Sequence, residues 1–366
     1  MNSILVAAQT PPPYGGQTIM VSYMLDGSYP GLKLIQVQTG LSRTSDEVAK
    51  FRFRKIFGLV RVILKIAFAR IKHGTTVLYY PPAGSNKGAM YRDIIILNCT
   101  RWLFRKVILH FHAGGISDMY ESIPRGLRFF YRRAYYYPDV AIRLSVLNPE
   151  DGKKLRAKQE FIVPNGIPDD RPGNRDKRSK CSGKVNILFV GLLCESKGVM
   201  DLIKALQIVQ QSYDISANFV GMFESEIFNT RVKTYIQNNG LCNTITFSGE
   251  LKGDAKTKAY LKADIFCFPS FYESETFGIV LLEAMQFELP IVTTRWRGIP
   301  SVIVEGENGF LVDIQDIQSL ADRLSLLIQK PDLRSSMGEK GRELYLRNYA
   351  IDVFHRKIRE CFSAAF

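Results

Sequence analysis

Two glutamates separated by seven residues, Glu275 and Glu283, lie in the segment FPSFYESETFGIVLLEAMQFELPIVTT, residues 268–294. The apolar run before them reads as a strand ending at Pro269. The run Ile279–Leu282 reads as part of a helix that starts near Thr276–Phe277 and runs through Glu283. On that reading Glu275 sits on the loop before the helix and Glu283 about two turns inside it. A helix start offers free backbone N–H groups to an anion such as a diphosphate. The helix dipole adds roughly 0.3–1 kcal/mol. Gly278 lets the backbone come close. Carboxylates can then accept hydrogen bonds from vicinal hydroxyls. A diphosphate beside hydroxyl-bearing rings is the chemistry of a nucleotide sugar. Taken alone, each glutamate is an ordinary solvated charge; the Phe-Gly step and the apolar run set this pair apart.

Three further places carry chemistry-bearing residues. Lys197 closes FVGLLCESKG, residues 189–198; His112 lies in FHAGG, residues 111–115; Gly15 and Gly16 lie in PPYGGQ, residues 12–17. Singly they read as a helix entry, a strand-end histidine and a tight turn. His110 and His73 read as structural. The six cysteines form no C-x-x-C pair and no zinc-spaced cluster, so reduced thiols and no metal site are expected.

The elements that must position these residues alternate between strand and helix. Strand-like runs occur at 4–8, 34–38, 77–80, 107–112 and 140–146, and again at 185–190, 218–220, 244–247, 265–269, 291–294 and 309–312. Two doubly wound parallel sheets are expected, each with an α/β core. A first domain over 1–170, a linker over 171–184 and a second domain over 185–348 follow. The linker holds only Pro, Gly, charged and small residues. A closing helix within 349–366 is expected to pack back on the first domain. The start of the chain reads as a first strand rather than a signal peptide, and no apolar run is long enough to span a bilayer. A cytoplasmic protein is expected.

Charge is one-sided. Residues 1–165 carry 24 Lys and Arg against 10 Asp and Glu; residues 166–366 carry 25 of each. The first half therefore suits an anionic surface. Its segment 50–74 has eight Lys or Arg and no acid. Lys50, Arg54, Arg61, Lys65 and Lys72 fall within roughly 60° of arc on a helix, and most of the rest is apolar. That is the pattern of a helix in a membrane interface, where each base contributes about 1 kcal/mol. The alternative is that the apolar face packs on the protein's own sheet and leaves the bases in water.

Together these motifs resemble the Glu-x7-Glu group 1 family (family four) of retaining glycosyltransferases. PNGI (164–167) and RGIPSVIVEGENGFLV (297–312) complete the order of motifs over nearly the whole chain. The resemblance implies the GT-B fold, two Rossmann-like domains facing a cleft, and assigns roles. Lys197, with the N–H groups of Phe277, Gly278 and Ile279, would meet the donor pyrophosphate. Glu275 would bind the transferred sugar and Glu283 the ribose. Gly15 and Gly16 would approach donor phosphate and acceptor, and His112 would sit at the reacting centre. It also implies retention by front-face attack and no metal or other cofactor, the nucleotide sugar being a co-substrate. Leu192 stands where many relatives have Arg, which leaves more diphosphate charge either to Lys197 alone or to another base such as Arg295 or Arg297.

The expected activity is transfer from a UDP- or GDP-sugar to a lipid-linked or membrane-proximal acceptor, as in bacterial surface polysaccharide assembly. The expected partners are the donor, a lipid-linked or saccharide acceptor and an anionic membrane surface. A nucleotide-sugar epimerase on the same fold would not need the basic half. A nucleic-acid binder would use the aromatics interleaved with bases at 125–137, but no nucleic-acid module appears.

Overall fold

In a computed structural model the described residues are 2–12, 14–40, 52–84, 86–172 and 183–366. The first sheet is built from β1 (Asn2–Ala8), β2 (Leu32–Gln38), β3 (Val77–Tyr80), β4 (Lys106–Phe111), β5 (Val140–Arg143) and β6 (Gln159–Ile162). Its order is β2-β1-β3-β4-β5-β6, and every pairing is parallel. The helices with it are α1 (Gly16–Asp26), α2 (Arg52–His73), α3 (Lys87–Thr100), α4 (Arg128–Tyr135) and the short α5 (Asp151–Lys154). Its central strands β3, β4 and β5 read as near-continuous buried runs, as parallel sheets covered on both faces do.

The second sheet holds β7 (Val185–Val190), β8 (Ile215–Val220), β9 (Ile245–Gly249), β10 (Ile265–Phe268), β11 (Ile291–Thr294) and β12 (Gly309–Val312). Its order is β12-β11-β10-β7-β8-β9, again parallel. Its helices are α6 (Val199–Val209), α7 (Glu226–Asn238), α8 (Gly253–Lys262), α9 (Ile279–Gln286), α10 (Ile317–Gln329) and α11 (Pro331–Asn348). The last helix, α12 (Ile351–Ser363), groups with the first sheet. His355 of α12 bonds the Tyr23 carbonyl of α1 at 2.7 Å, and Phe362 packs edge-on against Tyr29 and Tyr79.

The two units are therefore residues 1–166 with 351–366, and residues 167–350. Residues 167–170, read from sequence as the end of the first domain, group with the second. Ile167 pairs there with Ala350 and donates its N–H to the Tyr349 carbonyl at 3.0 Å. Most of the expected linker, residues 173–182, lies outside the described residues. Strand β6 is absent from the sequence reading because its exposed Gln-Glu start carries no apolar alternation. Among the described residues no helix is long and apolar enough to cross a membrane.

Helix α2 needs a correction. Lys50 lies outside the described residues, as does the side chain of Arg54, while Arg61, Lys65 and Lys72 are exposed. The apolar surface is not one face but two. Val62, Ile66 and Ala69 are buried in the core formed with α3, α4 and the sheet. Phe57, Val60, Leu64, Phe68 and Ile71 are exposed on the other side. The alternative in which the helix packs on its own sheet thus holds for one face only, because apolar residues recur all round the helix. The two faces separate in stability. Ile66→Ala should lower the unfolding free energy by about 2–5 kcal/mol through loss of buried contact and a residual cavity. Leu64→Ala should stay within about 0.5 kcal/mol of the wild type; urea denaturation of both variants checks this.

Candidate functional site

Sheet order decides where the second unit's candidate side chains meet. From β7 the chain builds outward through β8 and β9, then crosses back to place β10 on the other flank of β7. At such a reversal the loops leaving the two central strands open a crevice at their carboxyl ends. The loop after β7 carries Lys197 and the loop after β10 carries Glu275. The Lys197 ammonium lies 2.5 Å from Glu275 Oε2. It also lies over the Tyr272 ring at 4.4 Å and the Phe268 ring at 5.4 Å.

The two loops are tied together by backbone as well. Phe271 donates its N–H to the Ser196 carbonyl at 2.8 Å. Gly198 stands at φ 73°, and a Cβ there would come 2.0 Å from the Pro269 carbonyl oxygen; only glycine lets these loops approach so closely. Ser270 donates its hydroxyl to the same Glu275 oxygen at 3.1 Å, and the Trp296 indole donates to the Tyr272 carbonyl at 2.8 Å. From the next loop Gly298 closes on the site loop: a Cβ there would meet the Thr276 carbonyl oxygen at 1.7 Å. Glu275 is buried to 9% exposure, and its charge is held by Lys197 and Ser270.

Helix α9 begins at Ile279, with Gly278 capping it at φ 76°. That is two to three residues later than the sequence reading, because Thr276–Gly278 remain loop. Glu283 is consequently the fifth helical residue, just over one turn in, rather than two turns in. The amides of Ile279 and Val280 are among those a helix leaves without intrahelical acceptors, while Leu281 donates its N–H to the Gly278 carbonyl at 2.9 Å; Phe277 is buried against Tyr349. Both Glu283 oxygens have a partner on α8: Lys256 Nζ at 2.6 Å on one and the Tyr260 hydroxyl at 2.7 Å on the other. Burial, then the Glu283 charge, pushes the Tyr260 phenol well above its ordinary pKa, so it stays a donor. An ionised carboxylate has about four lone-pair sites, so Glu283 retains capacity for a ligand's hydroxyls.

Lys256 and Tyr260 were missed by the sequence reading. In KTKAYLKAD they look like any amphipathic helix, and only the fold brings α8 beside α9. Ser270 and Tyr272 were within reach of it, since both lie in the segment that carries Glu275. Among the described residues no group of three or more His, Cys, Asp or Glu is placed to hold a metal ion.

In the first unit, Gly15 and Gly16 form the exposed start of α1 just after β1, with Gly15 N–H donating to the Thr18 hydroxyl at 3.0 Å. His112 stands one residue past the end of β4. Both places lie at the carboxyl edge of the same parallel sheet, with β3 between their strands. His112 stacks on His110 at 3.9 Å, and His110 Nδ1 shares a 2.7 Å hydrogen bond with the Tyr79 hydroxyl. The glycine turn after His112 is anchored by buried Asp151, which accepts from the N–H groups of Gly115 and Ser117, each at 2.8 Å. Asp151 is a neighbour of this turn that sequence spacing did not reveal.

Burial pushes the His112 pKa down to about 3. In the unfolded chain histidine titrates near ~6.5. Below that value the unfolded state takes up a proton that the folded state refuses. The stabilisation is therefore whole above about pH 6.5 and is lost progressively as pH falls toward 3. Between pH 7 and 5 this amounts to about 2 kcal/mol for one such group. The urea midpoint should fall over that range in the wild type and fall less in His112→Gln.

Known proteins supply the context for this geometry. Residues 170–344 match the model of the family glycosyl transferases group 1. The capsular polysaccharide biosynthesis glycosyltransferase CapM of Staphylococcus aureus is 25% identical over 184 residues, 48% of this chain and 45% of the relative. The phosphatidyl-myo-inositol mannosyltransferase of Mycobacterium leprae is 32% identical over 189 residues, 50% and 48% of the two chains. This chain thus spans about half the length of these curated relatives. HepE of Anabaena, solved in complex with UDP-glucose, shares the fold over 99% of each chain with TM-score 0.73 and 17% identity. Two six-stranded parallel sheets of this order are the sheets of the GT-B fold, and the segment that carries Lys197, Glu275 and Glu283 is similar to the group 1 glycosyl transferases.

Proposed function

We propose that the protein is a retaining, metal-independent glycosyltransferase that moves a sugar from a UDP- or GDP-sugar to a lipid-linked or membrane-proximal acceptor in surface polysaccharide assembly. The observation that carries this reading is the contact of Lys197 with Glu275 at the sheet reversal, directly before the start of α9. Lys197 has three N–H donors; one meets Glu275, and the rest serve diphosphate oxygens. The leading amides of α9 add the helix end's partial positive charge. Glu275 receives the hydroxyls of the transferred sugar, and Glu283, held by Lys256 and Tyr260, receives those of the ribose. His112 takes the place at the reacting centre that the family resemblance implies.

The reaction breaks the bond from the sugar's anomeric carbon to the diphosphate and forms one to an acceptor oxygen on the same face. The acceptor's proton passes to a departing phosphate oxygen. Charge develops on that diphosphate, and preformed donors aimed at it do the electrostatic work of catalysis. HepE, a structural neighbour solved with UDP-glucose, and a relative named for mannosyl transfer to phosphatidyl-myo-inositol support the donor and acceptor classes. A cytoplasmic protein at the membrane's inner face fits both.

A thermal-shift screen of UDP-, GDP- and ADP-sugars should give one stabilising class, since a ligand at 100 times its Kd adds about 2.7 kcal/mol to the folded state. With that donor, Lys197→Ala and Glu283→Ala should each lower turnover by at least about 100-fold while circular dichroism stays native. Full activity in both variants would remove the site assignment.

A further inference from the structure

Helix α2 is apolar on two sides, and only one side is used by the fold. Its buried face, Val62, Ile66 and Ala69, lies in the core. Roughly opposite, Phe57, Val60, Leu64, Phe68 and Ile71 recur at intervals of three and four residues, within about 80° of arc at 100° per residue. These five side chains are between 49% and 81% exposed. The stripe is about 21 Å long at 1.5 Å per residue. Isolated exposed apolar residues are ordinary, but an aligned row of large ones marks a surface with a partner.

Charge identifies that partner. Arg61, Lys65 and Lys72 are exposed and fall immediately beside the stripe on one flank. No Asp or Glu occurs anywhere from residue 48 to residue 92. The surface also continues beyond α2. Arg70 donates from Nε to the Leu103 carbonyl at 2.9 Å, which holds the 101–103 turn against the helix and sets exposed Trp102 beside it. The same turn is tied to α4, where Arg101 donates to the Arg133 and Ala134 carbonyls at 3.2 and 2.7 Å, and the 125–133 segment exposes Phe129, Arg125, Arg132 and Arg133. An apolar row with an aromatic at its margin and bases of one sign along its side is complementary to an anionic bilayer: acyl chains take the row and headgroup phosphates take the bases.

We infer that the outer stripe of α2, Phe57 to Ile71, is the surface by which the protein inserts into the interface of an anionic membrane, with Lys65 and Lys72 at headgroup level and Trp102 at the edge. The inference deepens the proposed function and rests on its membrane-proximal acceptor. It differs from the sequence reading in which the helix would give its whole apolar surface either to lipid or to the protein. Because the inward face stays packed, the helix docks without leaving its sheet, and insertion requires no unfolding.

Flotation of the full chain with vesicles tests this, without nucleotide. Wild type should float with phosphatidylcholine vesicles containing 30% phosphatidylglycerol, and at least about tenfold less with pure phosphatidylcholine. L64E/F68E changes only exposed positions; it should keep the wild-type melting temperature within a few degrees and lose at least about tenfold in binding. Lys65→Glu with Lys72→Glu should lose the preference for anionic lipid. Undiminished flotation of L64E/F68E would overturn the inference. So would a wild type that ignores vesicles, including one that is instead a dimer which L64E/F68E converts to monomer. A donor-site failure shows separately, as no thermal shift with any nucleotide sugar, and leaves the vesicle result standing.

Discussion

The second unit turns on the placement of one ammonium. Lys197 lies against Glu275 and over the Tyr272 and Phe268 rings, with both charged side chains largely out of water. Such a pair is a weak source of stability, because desolvation of each ion offsets most of their attraction. Its value is positional. Charges already stripped of water and fixed by neighbours need no reorganisation when a third charged group arrives. The bracing of Glu275 by Ser270, and of the site loop by Gly198 and Gly298, is the structural cost of keeping that arrangement rigid.

The sheet order makes the arrangement unavoidable. Once β10 returns to the flank of β7, the loops after these strands must emerge side by side. One brings a base, the other an acid and the start of a helix. The first unit repeats the reversal between β1 and β3, and its Gly15–Gly16 turn leaves β1 at the corresponding edge. A single architectural rule applied twice therefore accounts for where both units keep their chemistry-bearing loops.

Much of this was legible in the sequence. Strands β7, β11 and β12 have the bounds that their Val- and Ile-rich runs suggested, because a buried parallel strand leaves little ambiguity. The Glu275 loop was legible from Phe277-Gly278 followed by an apolar run. The helix start was not, since Thr276 and Phe277 are tolerable helix formers and only their tertiary packing keeps them in loop. Strand β6 escaped because an edge strand with an exposed face need not alternate. The partners of Glu283 escaped because Lys256 and Tyr260 are defined by the neighbour of their helix, not by their own spacing. The two apolar sides of α2 were visible as composition, but which side the fold would claim depended on the sheet beneath it.

The most direct measurement of the central claim is amide hydrogen exchange with and without a saturating nucleoside diphosphate of the donor class that is turned over. The account predicts new protection at 192–198 and at 277–281 together, abolished in both segments by Lys197→Met. Protection confined to other segments, or unchanged in Lys197→Met, would contradict a diphosphate held between that lysine and the start of α9.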